Sequence, residues 1–203
     1  MTAPKLTCLF HSDTSVTALL NAPAGRALAG DLLIECAARP SLGFVLNLET
    51  PASYPGVAGL LGGIDLSTLA HPSEKLPAPI VLAPGSPVSV SAVRSALTLL
   101  TRPDERVGHI TFLVPVGEAR SLGSVLSLCE RFAIAWDVAT FPHEELVDFA
   151  RWLAAERLVD RANFAGVHAY AAEMPDAAHA RSISQLLASL GVPEAPAQVI
   201  VTG

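Results

Sequence analysis

A chain of 203 residues can bury a substantial core within one domain, and here 51% of residues are hydrophobic while only 16% are charged. The formal net charge of −6 excludes a protein that grips a phosphate backbone through a basic footprint, so no nucleic-acid partner is expected. No run approaches the ~18 consecutive apolar residues of a membrane span, and the Leu6–Phe10 run is too short for a signal-peptide core. The expectation is a cytoplasmic protein without a membrane partner. Cys8, Cys36 and Cys129 are far apart in sequence and form no C-x-x-C, which fits a reducing compartment rather than a disulfide framework.

In chain order, Lys5 to Phe10 reads as a first strand, followed by the polar residues His11, Ser12 and Asp13 and a short helix bearing Val16, Leu19 and Leu20. Leu32 to Ala37 and Phe44 to Leu48 read as two further strands. The six residues between them are too few for a helical crossover, so an antiparallel hairpin over about residues 32–48 is expected. Gly56, Gly59, Gly62 and Gly63 make the next segment glycine-dense. Residues 50–55 separate it from the preceding strand, which is not the strand–glycine–helix order of a dinucleotide site. A short helix over Val57 to Leu61, closed by Gly62 and followed by a loop to Pro79, is the simpler reading.

The stretch from Pro79 to Leu100 is the clearest unit. Ile80 to Ala83 is a buried-strand run, Pro84-Gly85 breaks it, and Ser86-Pro87 reads as an N-cap with proline in the first turn. Val90, Val93, Leu97 and Leu100 then recur at helical spacing. The pattern repeats with a strand over Ile110 to Val114 and a helix carrying Leu122, Val125, Leu126 and Cys129. It repeats again with a strand over Ala133 to Val138 and a helix burying Leu146, Phe149, Ala150 and Leu153. The tail reads as a strand over Gly166 to Ala172, a helix bearing Ile183, Leu186, Leu187 and Leu190, and a strand over Gln198 to Thr202. Successive βα units predict an α/β fold: a single Rossmann-like three-layer domain over residues 1–203, with a mostly parallel sheet and the one antiparallel hairpin.

Ligands of open α/β sheets sit beyond the carboxyl ends of the strands. The residues expected there as ligand-binding are Gly85, Ser86, Ser89, Gly117 and Thr140. Ser86 is the most motivated, because a helix N-terminus offers free N–H groups and Gly85 permits close approach to the backbone; the alternative is that Ser86 only caps its helix. His11 with Asp13 invites acid/base chemistry, and with Ser86 these are the candidate catalytic residues; the alternative is a capping segment with an exposed histidine. Asp137 lies in an apolar strand and requires a partner or a function.

The six histidines show no H-x-x-x-H or H-E-x-x-H spacing, and no metal site is expected. There is no G-x-x-x-x-G-K-[ST] and no G-x-S-x-G, and no cofactor is identifiable. Residues 1–100 carry 11 charged side chains and residues 101–203 carry 21, so either the first half holds much of any subunit contact or its strands are simply central to the sheet. The sequence therefore points to a binding domain that works through a small anionic ligand or partner subunits, as a homo-oligomer or part of a complex. The alternative is a hydrolase or transferase with its site at the carboxyl ends of the strands.

Overall fold

The computed structural model describes residues 4–11, 15–21, 26, 28–37, 41–86, 88–100, 107–137, 143–156, 164–171, 185, 188 and 198–201. Its first half runs β1 (Lys5–His11), α1 (Ser15–Asn21), β2 (Leu32–Glu35), α2 (Leu42–Leu46), α3 (Leu66–Leu69), β3 (Ile80–Val81) and α4 (Val90–Leu100). Then come β4 (His109–Pro115), α5 (Gly123–Leu126), β5 (Arg131–Asp137), α6 (His143–Ala155), β6 (Phe164–Ala171) and β7 (Gln198–Val201). Two 3-10 segments, Gly56–Gly62 and Val116–Leu122, complete the described elements.

The strands form one sheet in the order β3-β2-β4-β1-β5-β6-β7, and each neighbouring pair is parallel. Central β1 and β4 are buried on both faces, which is why Leu6 to Phe10 and Ile110 to Val114 read as continuous apolar runs instead of alternating ones. Phe10, Phe112, Phe132, Leu9 and Ile34 are among the largest fully buried side chains. Phe10 stacks on Phe132 at 6.1 Å and meets Phe149 of α6 edge-on at 4.9 Å, tying β1, β5 and that helix together.

The expected antiparallel hairpin does not form. β2 lies between β3 and β4 with both neighbours parallel, and the second half of the presumed hairpin is helix α2. A short apolar run is ambiguous between strand and helix, and here the ends decide. Glu35 Oε1 accepts the N–H groups of Ser41 and Leu42, both at 2.8 Å, which occupies donors that a helix start leaves open. At the other end Asn47 takes the left-handed conformation, φ 58°, and closes the helix. Leu42 and Leu46, one helical turn apart, are buried, while Phe44 is 92% exposed.

The glycine-dense segment is a helical piece as expected, of 3-10 type, and its left-handed terminator is Gly63 at φ 78° rather than Gly62. The βα units at β3–α4 and β5–α6 stand where the sequence puts them. Of the tail helix only residues 185 and 188 are described, both helical.

Candidate functional site at the carboxyl edge of the sheet

The strand order creates two places where neighbouring chains diverge. β2 leads outward to β3 while adjacent β4 leads across to β5; likewise β1 leads to β2 while adjacent β5 leads to β6. Crevices at such switch points, beyond the carboxyl ends of the strands, are where open α/β sheets hold ligands.

The β2/β4 crevice is built around Glu35. This last residue of β2 is 3% exposed, and its carboxylate accepts four hydrogen bonds. Oε1 takes the Ser41 N–H and hydroxyl and the Leu42 N–H; Oε2 takes the Ala83 N–H at 2.9 Å. One side chain thereby fixes the end of β2, the start of α2 and the exit from β3. A buried carboxylate is tolerated when its lone pairs are met in this way. Above it opens a cavity of about 110 Å³. Its walls are Val57, Pro84, Val90, Val93 and Leu122, with Glu35, Glu118 and Ser121 as polar groups. Ser121 donates its hydroxyl to the Glu118 carbonyl oxygen at 2.7 Å.

Tyr54 ties the turn after β3 to the preceding segment. Its hydroxyl donates to the Leu69 carbonyl at 2.7 Å, and its own carbonyl accepts the Gly85 N–H at 2.9 Å. Burial, with the nearby Glu35 charge adding to it, pushes the Tyr54 phenol up to about 12. Burial likewise pushes the Cys36 thiol, at the edge of the cavity, far above its ordinary range, so it is an inert small hydrophobe rather than a nucleophile.

The sequence-predicted residues fall as follows. The Gly85 N–H is taken by Tyr54, and the carbonyl oxygens of Ala52 and Pro51 lie 2.7 and 2.8 Å from where its Cβ would be. The approach to that backbone is thus lined by negative dipoles. Ser86 is exposed in the turn, and α4 begins later than the Ser86-Pro87 signal implies. The cap is Ser89, whose Oγ accepts the Ala92 N–H at 3.2 Å and lies 3.1 Å from Ser91 Oγ. Gly117 borders a second, shallower depression of about 240 Å³ with Arg120, Glu145, Asp148 and Phe149. His11 ends β1 fully buried between Pro115 and Ala135, not exposed.

The strand leading to Ser86 is three strand spacings from β1, roughly 14 Å. His11 and Ser86 therefore belong to different parts of the edge. Asp13, Pro87 and Thr140 lie outside the described residues, as does the side chain of Asp137, the last residue of β5. Sequence reasoning missed Glu35 as the organising group. The available signal was an acid closing an apolar run, Leu32-Leu33-Ile34-Glu35, at a strand's carboxyl end.

Among the described residues no group of three or more His, Cys, Asp or Glu side chains is arranged to hold a metal ion, and no helix is long and apolar enough to cross a membrane.

No family model and no curated protein matches the chain. Solved structures do. The MinD cell division protein of Aquifex aeolicus aligns with a TM-score of 0.63 at 13% identity, over 98% of this chain and 82% of that one. A ParA family ATPase from Chlorobium tepidum TLS gives 0.61 at 12% identity, over 99% and 85%. Cobyrinic acid a,c-diamide synthase from Mycobacterium smegmatis, bound to an ATP analogue and magnesium, gives 0.60 at 15% identity, over 92% and 80%. At these identities the likeness is one of fold: the chain has the parallel α/β architecture that these proteins share.

Proposed function

We propose that this chain is a binding domain that takes a small molecule in the crevice between the carboxyl ends of β2 and β4, without catalytic machinery there. The observation that carries the reading is the cavity's position: a preformed, mostly apolar space at a switch point of the sheet. The candidates for acid/base and nucleophilic chemistry, His11 and Ser86, do not line it. Three free cysteines support a reducing, cytoplasmic setting.

One of the similar structures holds an ATP analogue and another is named an ATPase, so a nucleoside triphosphate is the group to weigh first. The residues here do not fit it. A strand–loop–helix phosphate cradle needs glycines and a lysine between strand and helix. β1 and α1 are joined by Ser12-Asp13-Thr14 alone, with neither residue type. The depression lined by Gly117 sets two carboxylates, Glu145 and Asp148, against Arg120. Asp148 is also ion-paired with Arg151 at 3.3 Å, so a triphosphate there would meet no net positive charge among the described residues.

A thermal-shift screen of neutral and charged compounds of about six heavy atoms or fewer, sized to the 110 Å³ cavity, tests the reading. Hits should raise the Tm saturably and vanish in Val93→Phe, whose ring fills the cavity. Hits that persist in that variant would place binding elsewhere and overturn it.

A second reading, association with a partner subunit or a second copy, is favoured by Phe44, 92% exposed on α2, and Leu61, 48% exposed, both in the charge-poor half. Under it the protein sediments above monomer mass at micromolar concentration, and Phe44→Lys returns it to monomer. A wild type that sediments as monomer removes self-association.

A further inference from the structure

We propose that Cys8 and Cys129 form a reversible oxidation site: a hydroperoxide oxidises the Cys129 sulfur, and Cys8 closes on it as an intramolecular disulfide. The spacing of the cysteines in sequence gives no hint of this pair, because strand pairing makes it.

The backbone brings the two residues together. β5 runs beside β1 with Thr7 opposite Arg131 and Cys8 opposite Phe132. Just before β5, Glu130 donates its N–H to the Leu6 carbonyl oxygen at 2.9 Å. The turn carrying Cys129 is fixed to α5 by N–H bonds from Leu128 to Val125 and from Cys129 to Leu126, both 3.0 Å. Cys129 is thereby held against β1, and its thiol shares a hydrogen bond with that of Cys8. Cys36 stands apart from Cys8. It follows β2, two strand spacings from β1, roughly 10 Å, whereas a disulfide spans Cα atoms no more than ~7 Å apart.

The two thiols differ in access, and that divides their roles. Cys8 is fully buried, while Cys129 packs on the core but is only half-buried. Burial pushes the Cys8 thiol well above its ordinary range, and its hydrogen bond to Cys129 adds to this. Cys129 therefore meets a dissolved oxidant first, and Cys8 waits beside it as a protonated thiol. A solvent-reached sulfur with a second thiol at hand is the arrangement that turns oxidation into a reversible disulfide. In a reducing compartment such a bond is transient, and the free thiols are the resting state.

The chemistry balances in two steps. Cys129, giving its proton to solvent, attacks a peroxide oxygen; an S–O bond forms, the O–O bond breaks, and the alcohol or water leaves with a proton. The Cys8 sulfur then attacks the Cys129 sulfur; the S–S bond forms, the S–O bond breaks, and the Cys8 proton leaves with the hydroxyl as water. The two thiols give up two electrons and the peroxide accepts them.

Peptide mapping of the full chain tests this, because trypsin places the three cysteines on separate peptides. The folded protein is treated with a slight excess of hydrogen peroxide at neutral pH, alkylated and digested without reduction. The expected product is a monomer that has lost two of its three free thiols, with Cys8 linked to Cys129, Cys36 alkylated, and all three thiols restored by dithiothreitol. In urea the Cys8–Cys36 link should take over, since it closes the shorter loop. The wild-type map decides without any variant. In Cys8→Ala, Cys129 should stop at the sulfenic acid and be captured by dimedone, whereas in Cys36→Ala the Cys8–Cys129 link should form as before. Cys36 in the main link of the folded chain, dimers joined through Cys129, Cys129 reaching sulfinic acid with Cys8 still free, or three unreacted thiols would each overturn the proposal.

Discussion

The two switch points of this sheet are built differently. At β2/β4 a buried carboxylate organises three chain segments and leaves a preformed apolar cavity above itself. At β1/β5 the strand ends in the buried His11, the link to α1 is three residues long, and the depression above is shallow and carries mixed charge. Strand order sets where the two crevices lie, and local residues set what lines each of them: at β2/β4, one glutamate at the end of a strand.

The comparison breaks most sharply at Glu35. Glu35→Ala removes the acceptor of four hydrogen bonds and leaves the buried N–H groups of Leu42 and Ala83 unmet. It is expected to cost about 3 kcal/mol or more, read as a fall in the urea midpoint. An unchanged midpoint would show that the β2/β4 edge is not organised by this side chain.

Gly85→Val comes next. Its Cβ would meet the carbonyl oxygens of Ala52 and Pro51 at 2.7 and 2.8 Å, both backbone atoms with little room to yield. A loss of about 2 kcal/mol is expected from this overpacking. Because that loss is structural, the variant does not report on anion binding unless stability is matched. Tolerance of valine would mean that residues 51–54 do not pack on the turn as described.

Tyr54→Phe sharpens the picture through pH. It forfeits the hydrogen bond to Leu69, about 1 kcal/mol. The phenol ionises near 12 in the folded chain against an ordinary value of 10. The stability from keeping it neutral is therefore fully present below pH 10 and is lost as pH rises from 10 to 12. The stability difference between wild type and Tyr54→Phe should shrink over that interval. A constant difference from pH 9 to 12 would contradict the burial of the phenol.

The smallest effect separates two serines. Ser89→Ala should cost about 0.5–1 kcal/mol as loss of a helix cap, and Ser86→Ala less than about 0.5 kcal/mol as an exposed turn change. The reverse order would restore Ser86 as the cap.

Much of the fold is legible in the sequence, because central parallel strands must be apolar on both faces and the helices between them must be amphipathic. Ile80–Leu100 and Ile110–Val114 show it plainly. The helix that begins at Leu42 is not legible, since the Phe44–Leu48 run is ambiguous by itself and the helix start is held by the side chain of Glu35 at the end of β2, through the N–H groups of Ser41 and Leu42. The site was legible only as an edge. Its centre depends on strand order, which brings Glu35 of β2 beside Pro84 after β3 and Glu118 after β4, and no local pattern encodes that order. The turn chemistry misled in one respect: Ser86-Pro87 carries a strong cap signal, yet the helix starts later, at Val90 behind the Ser89 cap, while Tyr54 holds the Gly85 N–H in a separate turn.

Whether ligand enters at β2/β4 or at the end of β1 is decided by amide chemical-shift mapping of the isotope-labelled chain, with a compound from the thermal-shift screen and Mg-ATP titrated separately. Binding in the β2/β4 crevice gives saturable shifts with the screened compound at Glu35–Ala37, Val57, Val88–Val93 and Glu118–Leu122, and none with Mg-ATP. Saturable Mg-ATP shifts centred on His11 to Val16 would overturn that placement.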